Sequence, residues 1–68
     1  RPVNSFMCFR AAMYPILREQ YPNKNSRDIV LIISSYWREA SPEIKSYFRK
    51  EAAAIRAEHK KTWPDYQY

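Results

Sequence analysis

Glycine is absent from this 68-residue chain, and its absence excludes several classes of enzyme at once. Phosphate-binding loops, dinucleotide-binding turns and nucleophile elbows need glycine where the backbone takes a positive φ or approaches a ligand closely. We therefore expect neither a nucleotide-cofactor enzyme nor a bound cofactor.

Cysteine and histidine each occur once, as Cys8 and His59. A single cysteine cannot form an internal disulfide, and these two side chains cannot complete a four-ligand zinc site. We expect His59 to be a half-buried structural residue and Cys8 an incidental thiol, with redox sensing as a minor alternative. Acids such as Glu19 and Glu39 have polar neighbours, so no carboxyl group is set up for acid-base catalysis. The sequence predicts no catalytic residue and no metal ligand.

Long apolar runs are also missing. The longest unbroken one, Ile29–Ile33, is far shorter than the roughly 20 residues that span a bilayer. No signal-peptide pattern heads the chain. We expect no membrane association and an intracellular, reducing environment.

Positive charge and aromatic residues are what the chain has in excess. Twelve Lys and Arg against seven Asp and Glu give a net charge of +5. This imbalance favours a polyanionic partner such as nucleic acid. Apolar residues make up 46% and aromatic residues 16%, too many for a disordered basic tail. The length predicts one domain over residues 1–68.

Hydrophobic residues recur at spacings of three and four, which predicts three amphipathic helices. The first runs from Asn4 to about Tyr21, and Pro15 either kinks it, which we favour, or restarts it. Asn25 caps the second helix, and Ser41 caps the third and longest. X-Pro steps predict extended segments at both ends. The stripes expected to face the core contain Phe6, Phe9, Met13, Ile16 and Leu17, then Ile29, Ile32, Ile33, Tyr36 and Trp37, then Ile44, Phe48, Ala52, Ile55 and His59.

Met7 does not belong to the first stripe. At ~100° per residue it lies well away from Phe9, beside Asn4 and Arg10. It either fills a gap beneath the N-terminal segment or projects as an apolar wedge. Proteins that bind the DNA minor groove push such side chains between base steps, while Asn and Arg read the groove. Together with Phe6, these residues predict a DNA-binding surface.

Polar and cationic residues form two further groups outside the stripes. One group lies on the second helix and is either a ligand-facing surface or a solvated face; it contains Arg27, Val30, Ser34 and Arg38. The other lies near the end of the third helix and either complements the helix dipole in solvent, which we favour, or contacts phosphate. It contains Arg56, Lys60 and Lys61.

The pattern as a whole resembles the HMG box, and the resemblance covers the entire chain without a gap. It rests on many spaced identities rather than on one short motif. The residues that carry it are Arg1, Pro2, Asn4, Phe6, Pro22, Ile29, Trp37, Lys45, Phe48, Ala52, His59, Pro64, Asp65, Tyr66 and Tyr68. Among sequence-specific boxes, the chain most resembles the fungal mating-type branch, in the segments 18–20 with Pro22, 28–29, 32–33, 37–38, 41–43 and 58–59.

This resemblance implies an all-α, L-shaped, three-helix fold with an extended N-terminal strand and a C-terminal tail. Helices one and two would form a short wing, helix three and the terminal segments a long wing, with Trp37 where the wings meet. The implied function is that of a monomeric, nuclear transcription regulator that binds the minor groove of double-stranded DNA, bends it and works with protein co-regulators. The implied DNA-binding residues are Arg1, Asn4, Ser5, Phe6, Met7, Arg10, Ser26, Arg27, Val30, Ser34 and Tyr68.

Several positions depart from the pattern of sequence-specific boxes. Relatives usually carry Asn where Ser26 stands, a small polar residue at Arg27 and Ser at Val30, and many have a basic residue at Tyr14. Losing these donors predicts weaker base discrimination, since a good base contact is worth about 1 to 3 kcal/mol. Two alternatives therefore stay open: an architectural chromatin box, and a protein-interaction module whose patch contains Val30 and Leu31.

Overall fold

The computed structural model describes residues 3–62, which form three α-helices joined by short connections. The helices are α1 (Ser5–Gln20), α2 (Ser26–Glu39) and α3 (Pro42–Thr62), of which α3 is the longest, as predicted. No strand occurs within residues 3–62, and the all-α class is confirmed. Expectations for Arg1, Pro2 and the tail at 63–68 lie outside the described residues.

α1 begins at an asparagine cap and continues through a proline. The Asn4 backbone is extended, with φ −126° and ψ 174°, and Asn4 Oδ1 accepts a hydrogen bond from Met7 N at 2.9 Å. Pro15 lies on an exposed side of the continuous helix, where water can bind the Ala11 carbonyl that proline leaves without a donor. The helix therefore does not restart at Pro15, and it ends at Gln20, one residue earlier than expected. A bend at Pro15 stays a prediction.

The starts of α2 and α3 also follow from their capping residues. Asn25 Oδ1 accepts a hydrogen bond from Asp28 N at 2.8 Å, and the Asp28 carboxylate lies near the positive end of the helix dipole. Ser41 Oγ accepts one from Ile44 N at 3.2 Å, and Pro42 is the first residue of α3. Both predicted helix starts are confirmed.

A buried aliphatic cluster joins α1 to α2. Leu17 of α1 and Ile29 and Ile33 of α2 are fully buried and belong to one hydrophobic core. Burying a side chain of this size contributes roughly 1.5 to 3 kcal/mol relative to leaving it exposed. These three residues therefore supply much of the packing free energy that holds the two helices together.

An aromatic cluster extends the same core to α3. The Phe9 ring centroid lies 5.1 Å from that of Trp37 and 5.4 Å from that of Phe48. Trp37 in turn lies 6.5 Å from Phe48, in an edge-on arrangement that aromatic rings favour. Trp37 thus contacts both other helices, as expected for the residue where the wings meet.

Burial decreases along α3 beyond this junction. Ala52 is buried, whereas Ile55, less than one turn further on, is exposed. Arg56 Nη1 donates to the Val3 carbonyl at 2.6 Å and so ties the N-terminal segment to α3. Arg56 is exposed, as expected for a solvated cation, and its bond to Val3 is a further role that was not predicted. The described molecule is elongated and measures 42 × 25 × 16 Å.

Some residues of the predicted core stripes lie on the surface. Ile16, Tyr36, Ile44 and Ile55 are between 44% and 52% exposed. A protein of three helices offers each stripe only one or two packing partners. A helix in so small a domain therefore buries a narrower arc than its hydrophobic pattern predicts.

Candidate nucleic-acid interface

Met7 lies on α1 outside the hydrophobic core. It is half-buried, and it belongs neither to the buried cluster nor to the side chains packed against that cluster. Arg10 follows one turn later and is exposed. Phe6 differs from Met7, because its ring lies 6.2 Å from that of Trp37 and packs against the core. The two residues expected to form the wedge are thus in different environments, with only Met7 outside the core.

Asn4 and Ser5 stand at the start of α1, beside Met7. The capping bond occupies Asn4 Oδ1, so the exposed amide group keeps its two N–H donors for other acceptors. Ser5 is half-buried as the first residue of the helix. The beginning of α1 therefore presents a hydrogen-bond donor, an apolar side chain and, one turn later, a cation.

Ser26 and Arg27 lie at the exposed start of α2, where Ser26 is bonded to α1. Tyr14 donates its hydroxyl hydrogen to Ser26 Oγ at 2.8 Å. The Tyr14 ring packs against the core, which holds the hydroxyl group in place. When Tyr14 is ionised, its oxygen can accept hydrogen bonds from the Ser26 hydroxyl group and from Arg18, and these lower the pKa of Tyr14 below its ordinary value of 10.0.

Val30 and Ser34 lie one turn apart on α2, and both are half-buried. Ser34 Oγ donates to the Val30 carbonyl at 3.0 Å. This bond within the helix uses the hydroxyl hydrogen of Ser34, so Ser34 is left as an acceptor. The minor-groove edges of A·T pairs also carry only acceptors. In this conformation Ser34 has no donor to offer them.

The structure brings the expected residues into two adjacent groups. Met7, Arg10 and Tyr14 share one face of α1, because they are spaced by three and four residues. The bond between Tyr14 and Ser26 places the start of α2 beside that face. The residues that continue along α2 at the same spacing are Arg27, Val30 and Ser34. Arg1 and Tyr68 lie outside the described residues.

Two residues with structural roles at this surface are not singled out by the sequence pattern. Arg18 Nη2 donates to the Pro22 carbonyl at 3.2 Å and to other carbonyls of the α1–α2 connection. The spacing could have placed Tyr14 at this surface, because Tyr14 lies two turns after Met7 on the same face of α1. Its partner could not be found from spacing, since Ser26 is twelve residues away and in another helix.

Exposed cations accompany both groups. Arg10 is exposed on α1, and Arg27 and Arg38 are exposed on α2. Within residues 3–62, none of the three forms an ion pair with an acidic side chain. Their charges are therefore available to a polyanion, whose phosphates are neutralised by Lys and Arg when it binds.

The part of the chain that the structure describes holds neither a membrane span nor a metal cluster. No helix there combines the length and the apolar character needed to cross a bilayer. Residues 3–62 also contain no group of three or more His, Cys, Asp and Glu side chains placed to hold a metal ion.

A comparison with protein families decides what kind of domain this is. The family model described as HMG (high mobility group) box matches residues 1–67. The chain belongs to the HMG-box family. The same fold occurs in the solved structure of the HMG box domain from human HMG-box transcription factor 1. The TM-score is 0.88 and the sequence identity is 32%. That similarity covers 97% of this chain and 76% of the other, and it confirms the HMG-box fold.

Among curated proteins, this HMG box is similar to the transcription factor SOX-8 of Homo sapiens. The two are 37% identical over 68 residues, which is all of this chain and 15% of SOX-8. The box thus spans a small part of that relative. Both named relatives are transcription factors rather than enzymes, in agreement with a non-enzymatic domain. Both are also human proteins, and these matches do not support closeness to the fungal mating-type branch.

Proposed function

We propose that this HMG box binds double-stranded DNA from the minor groove and bends it, as the DNA-binding domain of a transcription regulator. The observation that carries the proposal is Met7, an apolar side chain outside the core, next to an exposed amide donor and an exposed cation. Inserting such a side chain between two base steps unstacks them and kinks the duplex, as HMG boxes do as a class. The similarity to two transcription factors supports the same function.

Asn4 adds a group that can read base edges. Its Oδ1 faces the helix N–H that it caps, so the amide N–H donors are available on the other side of the group. The minor groove offers acceptors at adenine N3 and thymine O2. Asn4 therefore both begins the helix that carries Met7 and donates to the groove floor beside the inserted side chain.

Exposed arginines would supply most of the sequence-independent affinity. Arg10 and Arg27 lie on the two groups of residues proposed to face DNA, and each can neutralise a phosphate. Every phosphate neutralised contributes roughly 0.9 to the slope of log affinity against log salt. Binding should accordingly weaken steeply as salt rises.

An architectural chromatin box is the second candidate, and two observations favour it. Val30 has no hydrogen-bonding group in its side chain, and the Ser34 hydroxyl hydrogen is bonded within the helix. Competition of a selected duplex against random duplex at fixed salt distinguishes the two candidates. Equal affinities favour the architectural role, whereas a preference of about a thousandfold or more favours sequence-specific regulation.

A bending measurement tests the main proposal. Duplexes labelled for energy transfer at both ends report the bend when the wild-type box and the variant Met7→Ala bind. Met7→Ala should reduce the bend of the DNA more than it reduces the affinity, because the phosphate contacts stay in place. Ile16→Ala is the matched control, since Ile16 is an exposed apolar residue elsewhere on α1. A straight wild-type complex would contradict the proposal.

The cellular role is proposed from the family resemblance. Membership of the HMG-box family and the similarity to transcription factors support a nuclear, monomeric regulator that works with co-regulators. A role at sexual identity genes rests on the sequence segments named above alone. Leu31, which is 59% exposed, lies next to the half-buried Val30 and provides the surface for a protein-interaction module as the alternative. Partner binding without any DNA binding at low salt would favour that alternative.

A further inference from the structure

One side-chain hydrogen bond connects α1 to α2 at the surface proposed to face DNA. Tyr14 donates its hydroxyl hydrogen to Ser26 Oγ at 2.8 Å. The Tyr14 ring packs against the core, whereas Ser26 is exposed. The bond therefore joins an anchored group to a side chain that is accessible to a ligand.

The hydrogen bond determines what Ser26 can offer to a ligand. A serine hydroxyl has one hydrogen to donate and two lone pairs to accept with. Tyr14 occupies a lone pair, and the hydroxyl hydrogen of Ser26 bonds to no other group within residues 3–62. Accepting a hydrogen bond polarises the hydroxyl group and strengthens its own donation. Ser26 is thus prepared to act as a donor towards an acceptor outside the protein.

Arg18 fixes the backbone that leads to Ser26. It lies one turn after Tyr14 on α1 and donates to carbonyls of the connection between α1 and α2, including that of Pro22 at 3.2 Å. The Asn25 cap then sets the first turn of α2. The position of Ser26 is therefore determined from both sides, by its backbone and by its hydroxyl partner.

We propose that Tyr14 is a positioning residue that holds Ser26 as a hydrogen-bond donor directed at an acceptor on the DNA. This inference rests on the DNA-binding function proposed above. Tyr14 acts through Ser26 and does not itself need to touch the duplex. Two DNA groups have the required chemistry: the acceptors of the minor-groove floor, adenine N3 and thymine O2, and the phosphate oxygens. A donor aimed at the groove floor favours A·T pairs, because G·C pairs place the guanine amino group there.

A double-mutant cycle tests the inference with conservative changes. The affinities of the wild-type box, Tyr14→Phe, Ser26→Ala and the double variant are measured for one A·T-rich duplex at fixed salt. Tyr14→Phe should weaken binding about threefold to tenfold when Ser26 is present, as expected for one neutral hydrogen bond. It should have no further effect when Ser26 is alanine. Tyr36→Phe is the matched control and should leave affinity unchanged, because Tyr36 is exposed and lies outside this surface.

Modified duplexes separate a DNA-directed role from a merely structural one. Replacing adenine with 3-deazaadenine removes adenine N3, replacing thymine with 2-thiothymine weakens the acceptor at thymine O2, and a methylphosphonate linkage removes a charged phosphate oxygen. Loss of the coupling between Tyr14 and Ser26 on one of these duplexes supports the inference and identifies the acceptor. Thermal melting of the free variants shows that each is folded.

Two results would overturn the inference while leaving DNA binding intact. One is equal weakening by Tyr14→Phe with and without the Ser26 hydroxyl. The other is coupling that persists on all three modified duplexes, since the hydrogen bond would then stabilise only the protein. If the wild-type box does not bind any duplex at low salt, the proposed function fails instead, so the two failures are distinguishable.

Discussion

The two ends of α1 are held in different ways. At its C-terminal end, the fully buried Leu17 shares a core with Ile29 of α2, and Arg18 binds carbonyls of the connection that follows. At its N-terminal end, the half-buried Phe6 packs against Trp37, and the preceding segment is tied to α3 through the exposed hydrogen bond between Arg56 and Val3. The buried Phe9 follows only in the second turn. A half-buried ring and an exposed hydrogen bond contribute less free energy than a fully buried aliphatic cluster does, so the first turn of α1 is held less tightly than the last.

This difference separates the residues that stabilise the fold from those proposed to contact DNA. Asn4, Met7 and Arg10 lie towards the less tightly held end of α1, and none of them is buried. Ligand-binding segments are commonly drawn from the less stable parts of a domain. Substitutions of Met7 or Arg10 should alter DNA binding with little effect on folding, whereas substitutions in the α1–α2 core should do the reverse. Substitution of Asn4 should affect both, because Asn4 also caps α1.

Trp37→Ala should have the largest effect and destabilise both ends of α1, because Trp37 contacts both α1 and α3. Truncating a core tryptophan costs about 3 to 5 kcal/mol, which is as much as a domain of this size has in total. We expect the variant to be unfolded at room temperature when followed by circular dichroism. Ile55→Ala is the control and should melt close to the wild type, since Ile55 is exposed. A cooperative melt of Trp37→Ala would refute the assignment of Trp37 to the junction.

Arg56→Met should release the N-terminal segment from α3 and leave the α1–α2 core intact. Methionine keeps an apolar stem but cannot donate to the Val3 carbonyl. Losing one exposed hydrogen bond of this kind costs about 1 kcal/mol, which corresponds to a fall in Tm of about 4 to 8 °C. Lys60→Met removes an exposed cation from the same helix and serves as the control. Equal Tm values for the two variants would mean that the bond to Val3 adds no stability.

The change in the ionisation of Tyr14, in the C-terminal half of α1, should be the smallest of these effects. The hydrogen bond with Ser26 and then that with Arg18 lower the pKa of Tyr14 below 10.0. Ser26→Ala should raise this pKa again, as measured by tyrosinate absorbance with Tyr14→Phe subtracted. Because the pKa of Tyr14 is lowered in the folded state, ionisation of Tyr14 adds stability to the fold above the unfolded pKa of 10.0. That added stability is lost as the pH falls through the folded pKa. An unchanged titration in Ser26→Ala would mean that Ser26 does not cause the shift.

Helix starts were predictable from the sequence because they depend on neighbours in the chain. Asn4, Asn25 and Ser41 each accept a hydrogen bond from an N–H three residues later. The partner of a cap is therefore always within reach of a short sequence window. The place of Met7 outside the core follows in the same way, since the angle between residues on one helix depends only on their spacing.

Burial was less predictable, because it depends on where another helix lies. Periodicity places Ile16, Ile44 and Ile55 on core stripes, yet all three are exposed. Their helices have too few neighbours to cover the whole stripe. The bond from Arg56 to Val3 was missed for a similar reason, because it joins residues 53 positions apart.

Three amphipathic helices, the caps of the second and third, and the place of Met7 off the apolar faces could all be inferred from neighbouring residues, because each depends on interactions within a few residues of chain. The hydrogen bonds from Tyr14 to Ser26 and from Arg56 to Val3 could not, because they depend on how the helices pack. Such contacts form when packing brings distant positions together, and the energy of that packing is shared among Leu17, Ile29, Ile33 and the aromatic residues around Trp37.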